Sequence, residues 1–204
     1  MNNIKYGVSY IAGGLFHHES LRLAALYLKA GDWNLVRDRV ITENLLQTRT
    51  LSTSKRICRE IISRLKALKF EELKLLVEAN PQEQGYLLWL AVCRCYRLIG
   101  EFALEVLREK YINLKTDLSY EDFDSFFNKK SEWHAELDQI RSTTRKKMSQ
   151  VLFRILHEAD LLSTSNTINP ALLSPRLLEV ISHSNRQDVL FFPVFESDLK
   201  EMPQ

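Results

Sequence analysis

Residues that break regular structure are scarce in this chain, with six glycines and five prolines among 204 residues. That excludes the Pro/Gly-rich disordered and collagen-like classes, and it leaves little glycine for a phosphate-cradling loop. No G-x-x-x-x-G-K-[ST], G-x-G-x-x-G, G-x-S-x-G or H-E-x-x-H pattern occurs, so the familiar nucleotide-binding, hydrolase and zinc-protease signatures are missing. A non-catalytic protein without cofactor or metal is expected. Long apolar runs are also lacking. The longest, Tyr86 to Cys93, is ended by Arg94, whereas a membrane helix needs roughly 20 residues. The opening MNNIKYGVSYIAGG has neither the basic region nor the apolar core of a signal peptide. These absences predict a cytoplasmic protein with no membrane contact. Nor is there a large excess of one charge: 28 Lys and Arg face 26 Asp and Glu, a formal net charge of +2. The total implies no nucleic acid; only clustering of charge could.

Cys58, Cys93 and Cys95 match no metal-ligand spacing. On a helix, residues two apart point away from each other, so all three read as reduced, packed thiols. The neighbours His17 and His18 stand near a helix start without a carboxylate cluster and read as surface or capping residues. Asp117 to Asp138 holds seven acids against Lys129 and Lys130. Asp122 and Asp124 could be imagined as metal ligands, but no calcium-loop pattern follows. A solvated acidic face, opposing basic helices of the same fold, is the better reading.

What is present is helical periodicity throughout, and it predicts an all-α, multi-helix bundle. The expected helices begin with one from about His18 to Ala30, ended by Gly31. A second, 33–46, is capped by Asp32. A short helix from Phe70 to about Ala79 precedes a central helix, 81–99, announced by Asn80-Pro81 with Glu83 answering. That central helix is apolar nearly all round, as a helix in the middle of a bundle is. Gly100 is expected to interrupt it before a helix from Phe102 to Lys110. The boundary between two units, 1–113 and 114–204, is placed near Leu114 to Leu118. Beyond it come a helix with a capping box at Ser119, a helix over 132–140, a basic helix, and a last helix opened by Ser174-Pro175. The turn-rich stretch 163–170 fits a small wing or a plain interhelical loop. Phe191 to Phe195 is too apolar to float free and is expected to pack back or to meet a partner.

The stretch organising these elements is Thr48 to Lys69, with seven Lys or Arg and one acid, Glu60. Hydroxyl residues open it, and a basic helix, 53–69, follows. Ile57, Ile61, Leu65 and Leu68 share one side, while Lys55, Arg59 and Lys66 fall opposite at about 100° per residue. Arg64, four residues after Glu60, falls beside the apolar arc, where the pair is expected to be structural. A hydroxyl-capped start beside a basic stripe suits phosphate oxygens. The candidate nucleic-acid contacts here are Arg49, Ser52, Thr53, Lys55, Arg56, Arg59 and Lys66. The design recurs at an offset of 90, where Ser142-Thr143-Thr144-Arg145-Lys146-Lys147 opens a helix over 143–161. Thr143, Thr144, Arg145, Lys146 and Lys147 form a second candidate contact. Ser52/Ser142, Thr53/Thr143 and Arg64/Arg154 are strict identities, compatible with duplication or with the frequency of capped basic helices.

Three runs, ENLLQTRTLSTSKRICREIISRL, LLWLAVCRCYRLIGEFALEVLREKY and RSTTRKKMSQVLFRILHEADLL, resemble in kind and order the BrxA family of bacteriophage-exclusion (BREX) islands. The resemblance spans roughly residues 10–195. It implies an all-helical fold of NusB-like or helix-turn-helix-like type, double-stranded DNA as a partner, and contact with other BREX proteins. It supplies no catalytic residue. Two other readings stay open: a protein-binding scaffold whose basic faces are merely solvated, and RNA binding of the NusB kind.

Overall fold

The structure is a computed structural model that describes residues 6–195 except Val8. The predicted caps hold at four places. Asp32 accepts from the Asn34 N–H (2.7 Å), Asn80 from Glu83 (3.0 Å) and Ser174 from Leu177 (3.2 Å), and Ser119 exchanges hydrogen bonds with Asp122 as a capping box. Gly31 closes the first helix at φ 69°, with its N–H on Tyr27 O at 2.8 Å. The resulting order is α1 His17–Ala30, α2 Trp33–Thr42, α3 Leu51–Leu65, α4 Phe70–Glu78, α5 Pro81–Cys95 and α6 Arg97–Phe102. A π-helical stretch, Ala103–Arg108, joins α6 to α7 Glu109–Ile112. Then come α8 Tyr120–Ser131, α9 Ala135–Asp138, α10 Ser142–Glu158, α11 Pro175–Asn185 and a 3-10 turn Arg186–Phe191. No strand forms among the described residues, so the all-α, multi-helix expectation stands.

Several boundaries differ from the sequence reading. The central helix breaks at Tyr96, which is extended (φ −123°, ψ 100°), rather than at Gly100. Gly100 stays helical because it lets another segment come close: a Cβ there would lie 2.9 Å from Cys93 O and 3.3 Å from the Phe191 ring. The second helix ends at Thr42, in a turn that places Asn44 and Gln47 at positive φ. The 132–140 helix shrinks to α9, leaving Trp133 83% exposed between α8 and α9. The two basic helices run 51–65 and 142–158 rather than 53–69 and 143–161.

One hydrophobic core runs from Tyr6 to Val194, with Trp89, Tyr86, Phe102 and Leu65 deep inside. α5 lies at its centre against α3, α4, α6 and α10. The apolar tail packs back as expected. Phe192 and Val194 are buried, the Trp89 indole N–H donates to Phe191 O (2.9 Å), and Ala171 N–H donates to Pro193 O (3.1 Å). Arg94 ties this end to α4, with two bonds to Glu72 (2.6 and 2.7 Å) and one to Asp188 (2.7 Å). Glu101 gathers Tyr6, Arg97 and Lys130. Burial alone would raise its carboxyl, but the hydrogen bonds from these three outweigh it and hold Glu101 below the usual carboxylate range.

The 163–170 stretch is a tight turn. Leu162 bridges Ile168 and Asp117 bridges Thr167, both antiparallel. Ser163 N–H donates to Thr167 O (2.8 Å), and Ile168 N–H to Thr116 O (2.6 Å). The cysteines are free thiols, with Cys58 and Cys93 buried, and burial pushes both thiols upward. His17 and His18 meet edge to face at 5.4 Å. No group of three potential metal ligands occurs among the described residues. Nor is any helix among them long and apolar enough to cross a membrane.

Candidate nucleic-acid interface

The apolar side of α3 is set by Cys58, Ile61, Ile62 and Leu65, all buried, with Leu68 beyond the helix. Ile57 is only partly covered. Within this face sits an ion pair: Arg64 donates to Glu60 at 2.8 Å, and both side chains are at most 6% exposed. Arg64 also donates to Gly14 O (2.7 Å), and the Tyr96 hydroxyl donates to Glu60. The pair is thus structural, as its spacing predicted.

The opposite side carries the cations. Lys55, Arg56, Arg59 and Lys66 are exposed, and Arg49 lies in the approach to the helix. Lys55 and Arg59 form no ion pair among the described residues; Arg56 has a partner. Leu51, Ser52, Lys55, Arg56 and Arg59 line one shallow depression. Ser52 and Thr53 fall in the first turn, but neither is the cap. Thr50 is the cap: its side chain accepts from Thr53 N–H (3.2 Å) and donates to the Thr53 hydroxyl (2.9 Å). The cap precedes both because Thr50 is the last extended residue, φ −132° and ψ 143°. The α3 start thus already has one free N–H satisfied internally.

α10 differs. Met148, Val151, Leu152, Phe153, Ile155 and Leu156 are buried. Its N-cap position is Arg141, which makes no side-chain cap bond, so the expected hydroxyl cap is absent here. Ser142, Thr143 and Thr144 occupy the first turn instead, because the chain bends into helix one residue before the hydroxyls can serve as cap. Arg145 is engaged within the fold. Its guanidinium donates to Asp124 Oδ1 (2.7 Å), Asp124 O (2.6 Å) and Asn128 Oδ1 (2.6 Å), and it lies 4.7 Å over the Phe127 ring. The acidic stretch therefore opposes a basic helix, and three of the five N–H donors of Arg145 are committed within the fold. Lys146 and Lys147 are exposed and unpaired among the described residues. With Ser142 and Arg145, Lys146 lines a cleft of about 630 Å³ between α8 and α10.

The profile of the BrxA family matches residues 4–185, nearly the whole chain. This chain belongs to the BrxA family. Among curated members, the BREX protein BrxA of Bacillus cereus (strain H3081.97) is 29% identical over 149 residues, covering 72% of this chain and 74% of that protein. The BREX protein BrxA of Escherichia coli O9:H4 (strain HS) is 25% identical over 193 residues, covering 93% of this chain and 91% of its own. In fold, this BrxA-family chain is similar to the crystal structure of an uncharacterized protein from Magnetospirillum magneticum. The TM-score is 0.76 at 19% identity, covering 93% of this chain and 98% of that one.

Proposed function

We propose that this BrxA-family protein is a non-catalytic component of BREX phage defence that binds double-stranded DNA, with the exposed side of α3 as its principal contact. The observation carrying this reading is the separation of duties along α3. Arg64 is committed to the core, whereas Lys55 and Arg59 are exposed with no pair among the described residues. Cations without a structural partner are available to replace counterions on phosphate. Ser52 and the first-turn backbone are placed to fix register beside them. Lys146 and Lys147 supply the second contact at the start of α10. There the order α7, bridge, α8, α9, α10, bridge, turn, bridge has the layout of a winged helix-turn-helix, with 163–167 as the wing.

The scaffold reading has one specific support, the 83% exposed Trp133, since exposed tryptophans are frequent anchors of protein contacts. Its other support, a free apolar tail, is gone because Phe192 and Val194 are buried. Comparing Lys55→Ala/Arg59→Ala with wild type in titrations of duplex DNA and of RNA tests the proposal. DNA affinity should fall to a similar extent for unrelated sequences. The slope of log affinity against log salt should flatten by roughly 2 units, with the melting temperature unchanged. An unaltered slope, or preference for RNA over duplex, rejects it.

A further inference from the structure

The two basic helices are joined at one peptide group. The Gly14 carbonyl accepts from Arg64 of α3 at 2.7 Å, and the N–H of the same peptide, on Leu15, donates to Glu158 of α10. Gly14 and Leu15 are buried, and the Glu158 carboxylate occupies the space that a Cβ on Gly14 would need. Arg64 and Glu158 are the last turns of their helices. The C-terminal ends of α3 and α10 therefore converge, and their basic N-terminal halves point away from the junction. α5 packs against both helices, with Gly85 in close approach to Ala159 just past the end of α10. The frame is thus a V with its apex at the Gly14–Leu15 peptide and unpaired cations on each arm.

The size of the V is bounded by covalent geometry. Lys55 lies nine residues before Arg64, about 14 Å at 1.5 Å per residue, and Lys146 lies twelve before Glu158, about 18 Å. The two side chains and the peptide between them add about 20 Å at most. Whatever the angle of the V, the two cation clusters are no more than about 50 Å apart. A duplex rises about 3.4 Å per base pair, so about 15 base pairs reach from one cluster to the other.

We infer that α3 and α10 bind one and the same duplex, and that the ligand is a DNA segment long enough to bridge both arms, not a short site read by one helix. The inference rests on the DNA-binding reading above. A stiff rod held at two fixed points gains from the second contact as an intramolecular event. A duplex shorter than the gap between the clusters reaches one arm only.

The test is an anisotropy titration with duplexes of 8, 12, 16, 20 and 30 base pairs at several salt concentrations. Wild-type affinity is expected to step up 10- to 100-fold between the short duplexes and 20 base pairs, with a steeper salt slope, and to level off by 30. Both Lys146→Ala/Lys147→Ala and Lys55→Ala/Arg59→Ala should lose the step, and the second, which removes the principal contact, should lower short-duplex affinity as well. Glu158→Ala, which releases the Leu15 N–H, should broaden or weaken the step without altering short-duplex binding; a merely structural Glu158 would change only the melting temperature. Affinity rising smoothly in proportion to the number of overlapping sites, with one salt slope at all lengths, overturns the inference while leaving the DNA-binding reading intact. If neither double variant changes binding at any length, both fall together.

Discussion

Arg64 and Arg154 occupy matched places in two helices of similar design, and they meet opposite fates. Arg64 is 3% exposed, fixed to Glu60 and to the Gly14 carbonyl, whereas Arg154 lies exposed on α10. Arg145 and Lys55 reverse the comparison. Arg145 is held by Asp124 and Asn128, while Lys55 is exposed and unpaired. Each helix thus commits one arginine to the fold and leaves other cations to solvent. Alike sequence patterns can hide this exchange, because the commitment is decided by which neighbours the tertiary fold brings up. Basic residues are interchangeable in a charge count and not in a structure.

The largest expected effect tests the first contrast. Arg64→Met should cost about 3–5 kcal/mol, because it leaves Glu60 charged, buried and unpaired. Arg154→Met should stay within about 0.5 kcal/mol of wild type, as exposed substitutions do. Urea denaturation of both variants measures the difference, and equal midpoints would falsify it. Next is Arg145→Ala, expected to cost about 1–2 kcal/mol through the loss of its hydrogen bonds to α8, with Lys146→Ala near zero. A thermal melt of the two single variants checks this. It also decides whether charge removal on α10 can be read as a DNA effect: Lys146 and Lys147 serve that purpose and Arg145 does not. The smallest effect concerns the helix starts. Thr50→Ala should cost about 1 kcal/mol for the lost cap, whereas Ser142→Ala, which removes no cap bond, should be almost silent. If calorimetry finds the two equal, the assigned difference in capping is wrong.

Much of the fold was legible from local chemistry. Asp32, Asn80, Ser119 and Ser174 announced helix starts because capping is settled within three or four residues. The apolar faces of α3 and α10 were legible for a similar reason, since helical spacing alone aligns Ile61 with Leu65 and Val151 with Ile155. What local chemistry could not supply was every feature set by distant partners. The break at Tyr96 goes with the reach of its hydroxyl to Glu60, 36 residues earlier. The helical state of Gly100 goes with its close approach to Phe191. At the candidate interface, exposure of Lys55 and Arg59 followed from their angle around the helix. The capture of Arg145 by Asp124 did not, because nothing within a few residues of Arg145 signals α8. Thr50 as the cap of α3 could have been found: it is the last hydroxyl residue before Leu51, where the apolar pattern begins.

The burial of Trp89 and its hydrogen bond to Phe191 have a consequence in time as well as in space. The indole and the carbonyl that accepts its proton are 102 residues apart. At roughly 5–20 residues per second of synthesis, the central helix of the fold emerges some 5 to 20 seconds before the segment that closes over it. For that interval α5 can be flanked by α1, α3 and α4 but not sealed. The nascent protein therefore passes through a stage in which its centre is assembled and still open, and the five residues Phe191 to Phe195 decide when that stage is over.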